Sequence, residues 1–171
     1  MKNKSTKTIL ITALVVVGAA AAYFMMNKDT NQGFTIENSA PVFKKEGELL
    51  FISNHDGETL SVIDIEIADT DQKTMQGLMY RSSMPQNAGM LFLMPREDIQ
   101  GFWMRNTYIP LDMIFVNSNK QIVTIHANTT PMNESSYIST APALYVVEVN
   151  AGYCNKNNIK EGDLIDFTIN K

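Results

Sequence analysis

The chain reads as a mainly β protein: an antiparallel sandwich or compact barrel with one short helix, preceded by an N-terminal transmembrane helix. Three observations carry that reading. Ile63, Ile65 and Ile67 alternate with Asp64 and Glu66, a period of two that gives a strand one apolar and one polar face. Short apolar runs recur at regular spacing, separated by turn residues such as Asn54-His55-Asp56-Gly57 and Asn117-Ser118-Asn119-Lys120. The run from Thr8 to Met26 carries no charge, with Lys2, Lys4 and Lys7 before it and Lys28 after it.

Residues 1–27 therefore form a membrane anchor or a signal peptide. As a helix the uncharged run nearly spans a hydrocarbon core, and its basic flank keeps this end in the cytoplasm and sends the rest of the chain outward. A cleaved signal peptide would use Ile9 to Val17 as its apolar region and Ala20-Ala21-Ala22 as its small-residue site. Cleavage there would leave Tyr23-Phe24-Met25-Met26 as a greasy new N-terminus, so the uncleaved anchor is favoured. Residues 28–46 are rich in Asn, Thr, Ser, Lys and Glu, contain Pro41, and read as a tether.

Residues 47–171 read as one β-rich domain. Glu48 to Ser53 and Thr59 to Ala68 are expected to form a hairpin, with one face of the return strand solvated. One helix is expected to start near Thr70 or Asp71, either of which can cap it, and to place Met75, Leu78 and Met79 on one face. Gly77 inside that helix points to close packing against the sheet. Further strands are expected at Met90–Met94, Phe102–Thr107, Leu111–Val116, Gln121–His126, Leu144–Val149 and Leu164–Ile169. The segment from Asn128 to Pro142 lacks periodicity and is long for a connection, the character of a lid, a binding loop or a plain surface excursion.

Charge bounds the partners. From Asp29 onward ten Lys and Arg face eighteen Asp and Glu, a net of −8. Such a domain repels nucleic-acid backbones, and no basic stripe interleaved with aromatics is present, so nucleic acid is excluded as a partner. The single cysteine, Cys154, has no partner for an internal disulfide and is expected to be buried.

Chemistry concentrates where polar residues break apolar patterns. Phe102-Trp103-Met104-Arg105-Asn106-Thr107, followed by Ile109-Pro110-Leu111-Asp112, holds the one tryptophan and a carboxylate at the mouth of an apolar run. Alternation puts Asp112 on the face of Ile114 and Val116, and Glu148 on the face of Leu144 and Val146. A carboxylate in such company is costly unless paired. Arg105 is one candidate partner and Arg81 another, since guanidinium forks suit carboxylates.

The candidate polar cluster is therefore Arg81, Trp103, Arg105, Asn106, Thr107, Asp112 and Glu148. It is either a buried network that fixes strand register or the lining of a site for a small polar ligand. On the network reading, which is preferred, Glu148→Gln is damaging and Trp103 anchors the core or its rim. Asn106 and Thr107 serve, on that reading, to hold a bent strand. A glycosidase-like acid/base pair of Asp112 and Glu148 requires carboxyls about 5 to 9.5 Å apart in an open cleft.

Seven of the eleven methionines lie between Met75 and Met113, and thioethers favour Cu(I), but adaptable core filling is the better reading. Cys154 with His126 as nucleophile and base is disfavoured by the expected burial of the thiol. Motifs for serine hydrolysis, zinc proteolysis, phosphate loops and dinucleotides are missing, and no metal or cofactor is implied.

Those six residues from Phe102, with Gly77-Leu78-Met79-Tyr80-Arg81, Gly89-Met90-Leu91-Phe92 and Val147-Glu148-Val149-Asn150-Ala151-Gly152, resemble the domain of unknown function 192 family. The resemblance runs from about Leu60 to Phe167, with Arg105 where lysine is more usual. It implies a small β-rich domain, often exported, with no assigned reaction. The functional expectation is a membrane-tethered, extracytoplasmic binding or accessory module without catalytic residues, taking a small polar ligand or an envelope protein. A hydrolase built on Asp112 and Glu148, or a structural partner in an envelope complex, are the alternatives.

Overall fold

The computed structural model describes residues 41–170, so the expected membrane helix and most of the tether lie outside the described residues. Among the described residues no helix is long and apolar enough to cross a membrane. The strands are β1 (Gly47–Ile52), β2 (Thr59–Ala68), β3 (Ala88–Asp98), β4 (Gly101–Phe102), β5 (Leu111–Val116), β6 (Ile122–His126), β7 (Tyr137–Ile138), β8 (Ala143–Asn150) and β9 (Leu164–Ile169). Two short helices, α1 (Asp71–Gln76) and α2 (Tyr153–Lys156), follow β2 and β8.

Seven strands form one sheet in the order β6-β5-β8-β3-β2-β1-β9. The β2–β3 pair is parallel and the other pairs are antiparallel, so the expected antiparallel architecture is corrected to a mixed sheet. A parallel pair needs a crossover rather than a hairpin, and α1 with the segment after it supplies one. The sheet's two edges meet at one end: Gln121 bridges Leu164, and the amides of Gly162 and Ile165 donate to the carbonyls of Ile122 and Lys120.

Alternation along the strands splits the apolar residues between the two faces. The inner face holds Leu49, Phe51, Ile65, Leu91, Ile114 and Val147. The outer face of β3, β5 and β8 carries Met90, Phe92, Met113, Phe115 and Val146, covered by Leu78, Met84 and Met104. Because β5 lies between two apolar layers, all its residues are buried. Each fully buried Leu, Ile or Phe contributes about 1.5–3 kcal/mol of transfer free energy.

The outer layer also changes what the period-two pattern of β2 means. Glu66 was expected on a solvated face, yet it is buried beneath this layer.

Thr70 caps α1 by accepting from the Lys73 amide at 3.3 Å. The helix then stops at Gly77, whose φ of 45° and ψ of −132° suit only glycine, so Gly77 ends the helix rather than lying within it. Met75 is exposed and Leu78 buried, so the expected shared helical face does not form. Of the expected strand Phe102–Thr107 only Phe102 is extended, in β4, and it pairs with β7 from the segment Asn128–Pro142 read as a long loop. Phe43 packs on the outer layer and Glu46 accepts from the Ile67 amide at 2.9 Å, so the end of the tether already rests on the domain.

Candidate functional site

Registration across the sheet places Asp112 opposite Val149 and Met113 opposite Glu148. Paired residues share a face, so Asp112 points inward and Glu148 outward. The two carboxyls are on opposite sides of the sheet and cannot act together on one substrate. The acid/base pair is thereby excluded.

Asp112 is fully buried and accepts three backbone bonds: from Asn128 at 2.8 Å, Gly152 at 3.0 Å and Cys154 at 2.9 Å. It clamps the start of α2 to the loop after β6, and that is a structural task. Cys154 sits beneath this clamp, buried as expected, and its thiol is pushed far up by burial and by the neighbouring Asp112 carboxylate. It is no nucleophile.

The expected pairing of Arg105 with Asp112 or Glu148 is also corrected. Arg105 lies on an exposed loop, 4.0 Å from Glu134 Oε1 and 5.6 Å from the centroid of the Trp103 ring. Arg81 finds its carboxylate in Glu66, with Nη1 and Oε2 2.5 Å apart and both side chains buried. The approach lacks hydrogen-bond alignment, and Arg81 Nε has no partner among the described residues. Glu66 Oε1 in turn accepts from the Lys44 amide at 3.1 Å. Asn106, at φ 53°, takes the Tyr80 amide on its carbonyl at 2.8 Å and donates Nδ2 to the Tyr80 hydroxyl at 2.8 Å. It fastens the loop after β4 to the segment after α1.

Glu148 is left without a partner. Its row on the outer face runs Glu66, Met90, Glu148, Met113, His126 across five strands, so thioethers separate it from the nearest ionisable side chains on either side. It is 4% exposed, and among the described residues no cation or hydrogen-bond donor offsets its burial, which pushes its carboxyl up to about 8. At neutral pH it is mostly a neutral acid, able to donate one hydrogen bond and accept others.

The carboxyl lines a cleft of about 340 Å³ between the outer face of β3 and β8, the segment around α1, and the loop after β4. Phe92 and Phe102, edge to face at 4.9 Å, form one wall; Met75, Met79 and Met94 add flexible thioethers. Gly77 keeps the cleft open beside Glu148: a side-chain carbon there would lie 3.3 Å from Phe92 Cζ and 3.9 Å from Glu148 Oε2. Trp103 is 47% exposed at the cleft's edge, so it does not anchor the core.

Of the sequence-derived cluster, the cleft gathers Trp103, Thr107 and Glu148. Arg105 and Asn106 belong to the adjoining loop, Arg81 to a separate ion pair, and Asp112 to the other face. Sequence reading missed the walls, Phe92, Phe102 and Met94, because alternation marks them only as apolar. It also missed Glu66 as the partner of Arg81, since the parallel pairing that brings them together is non-local.

The profile of the DUF192 family, described as Uncharacterized ACR, matches residues 51–167. A UPF0127 protein of Thermococcus gammatolerans is 29% identical over 110 residues, which are 61% of this chain and 67% of that protein. A candidate transcription regulator from Sinorhizobium meliloti is 35% identical in its crystal structure, with a TM-score of 0.69 over 74% of this chain and 97% of that one. A protein of unknown function from Novosphingobium aromaticivorans, also 35% identical, gives a TM-score of 0.65 over 70% of this chain and 83% of its own. The profile match begins near the end of β1 and ends within β9, taking in every strand between them and the cleft, and the chain belongs to the DUF192 family, to which no reaction is assigned.

Proposed function

We propose that this domain is a non-catalytic module that binds a small, largely apolar ligand carrying one polar group, held outside the cytoplasmic membrane by its N-terminal segment. The observation that carries the binding reading is Glu148: a buried, unpartnered carboxyl opening onto an apolar cleft. An unpaired buried carboxyl costs stability, and a ligand that satisfies it recovers that cost on binding. The cleft matches the lower end of small-ligand sites in size and, like them, combines apolar walls with few polar groups. Catalysis is not proposed, because among the described residues no second titratable side chain lines the cleft with Glu148.

The outward location rests on the uncharged run Thr8–Met26 behind Lys2, Lys4 and Lys7. The transcription-regulator description of the Sinorhizobium relative is not carried over as nucleic-acid binding: the chain from Asp29 onward carries a net charge of −8. Docking of an envelope protein is the second reading, favoured by half-exposed Trp103, Tyr80 and Tyr108, the last two in edge contact at 6.2 Å.

Trp103 is the one tryptophan of the chain and borders the cleft, so its fluorescence reports on occupancy. Titration of the full chain with small aromatic compounds should change Trp103 emission saturably, and Gly77→Val should abolish the change by filling the cleft. A linear, non-saturating response shared by both proteins would refute the binding site. Location is tested by a reporter fused after Lys171, expected to be active only outside the cytoplasm.

A further inference from the structure

We infer that the natural ligand of the Glu148 cleft is an organic ammonium: a cationic nitrogen directed at the Glu148 carboxylate, on an apolar body lying along Phe92, Phe102 and Trp103. The inference rests on the binding reading above and specifies its ligand. Three features of the cleft select this class.

Among the described residues Glu148 is the one ionisable side chain lining it, with no Lys, Arg or His there to receive an anion. Among the described residues no cation reaches Glu148, since Arg81 is committed to Glu66 and Arg105 to the Trp103 face and Glu134. The walls are aromatic and thioether, and aromatic faces attract a cation while also accommodating its apolar part. A ligand carboxylate gains only the one hydrogen bond the neutral acid donates and brings a charge that no cation in the lining offsets, and a neutral ligand leaves Glu148 protonated and gains no ion pair.

Binding has a proton balance. At pH 7 Glu148 is mostly protonated; an entering ammonium keeps its own charge and the carboxyl releases its proton to solvent, leaving an ammonium–carboxylate pair in the apolar cleft. The groups packed around Glu148 do not blur this exchange. Met90 and Met113 flank it on β3 and β5, and the Gly77 backbone lies over it. The nearest charged or titratable groups in its row are Glu66, paired with Arg81 beyond Met90, and His126, whose Nε2 is engaged with the Ile138 carbonyl at 2.9 Å beyond Met113.

The test uses the full chain in non-ionic detergent and three probes with one body and different heads: 2-phenylethylammonium, 2-phenylethanol and 3-phenylpropionate. Binding is read by Trp103 emission and by titration calorimetry at pH 7 in two buffers of different ionisation heat. The ammonium should bind at least about tenfold more tightly than the alcohol, the margin of one charge-assisted bond. It should release close to one proton per site, and the alcohol none. Glu148→Gln should bring the ammonium down to the level of the alcohol, whose own affinity should change by less than about threefold, under 1 kcal/mol.

Equal binding of ammonium and alcohol, preference for the carboxylate, or an ammonium preference that survives Glu148→Gln would each overturn the ammonium assignment while leaving the cleft a binding site. Failure of all three probes to perturb Trp103 would overturn the binding reading, and this inference with it.

Discussion

Replacing Glu148 by glutamine separates a carboxyl that is paired from one that is merely buried. The ordinary carboxyl value is 4.5 and burial raises it to about 8 in the folded chain. The folded protein therefore holds this proton more tightly than the unfolded chain does. Below pH 4.5 both states are protonated and the folded state keeps its full advantage. Between 4.5 and about 8 the unfolded chain ionises while the folded chain does not, and stability falls as pH rises. Above about 8 both are ionised and the loss is complete.

At about 1.4 kcal/mol per pH unit, the window amounts to roughly 5 kcal/mol in all and to roughly 3 kcal/mol by pH 7. Glutamine has nearly the same shape and no charge to lose. Glu148→Gln should match the native protein within about 1 kcal/mol at pH 4.5, where the amide's extra donor is the main cost. It should exceed it by about 3 kcal/mol at pH 7, which raises the melting temperature by about 10 °C for a domain of this size. Urea unfolding of both proteins from pH 4.5 to 9, followed by circular dichroism, measures the difference directly. Stability curves that stay parallel across that range, or a glutamine variant less stable at pH 7, would show that Glu148 is ionised and partnered, and the account of the cleft would fail. The sequence-based expectation that this substitution is damaging is thus reversed, because the arginine it presumed lies elsewhere.

Other substitutions test the remaining polar groups. Asp112→Ala strands three backbone amides, two from Asn128 and Gly152 and one from Cys154, and should cost more than about 3 kcal/mol in chemical unfolding, at about 1–3 kcal/mol for each buried donor; a loss under 1 kcal/mol would mean that water replaces the carboxylate. Arg81→Met leaves Glu66 charged and buried and should cost about 3–5 kcal/mol, whereas Arg81→Met with Glu66→Gln should cost less than the sum of the two single changes; additivity in a double-mutant cycle would disprove the coupling. Trp103→Ala, at a half-exposed position, should lower stability by less than about 2 kcal/mol, well short of the about 3–5 kcal/mol for a buried aromatic, while weakening binding of the ammonium probe by calorimetry; a large drop in melting temperature would return Trp103 to the core.

The sequence by itself determined the β character of the domain, because strand alternation and turn chemistry are local. The bounds of β2, β5 and β9 follow from the apolar pattern alone, and the start of α1 from the Thr70 cap. It also placed Asp112 and Glu148 on the faces they occupy, since period two depends only on neighbours along one strand. The five residues after Phe102 escaped this logic: Met104 is buried in the outer layer, yet the chain there turns instead of continuing β4. The second helix, α2, is too short to carry a period, and β7 is a strand because β4 pairs with it.

Only the tertiary structure decided which carboxylates have partners. Arg81 reaches Glu66 across a parallel crossover, Asp112 is satisfied by amides from two distant segments, and Glu148 has no partner among the described residues. A sequence states that a buried charge must be compensated, but compensation is settled by which strands become neighbours and in what register. That pairing buries the apolar strand faces of the described residues in two clusters. The cleft is what this pairing leaves open, where Gly77 contributes no side chain to close it.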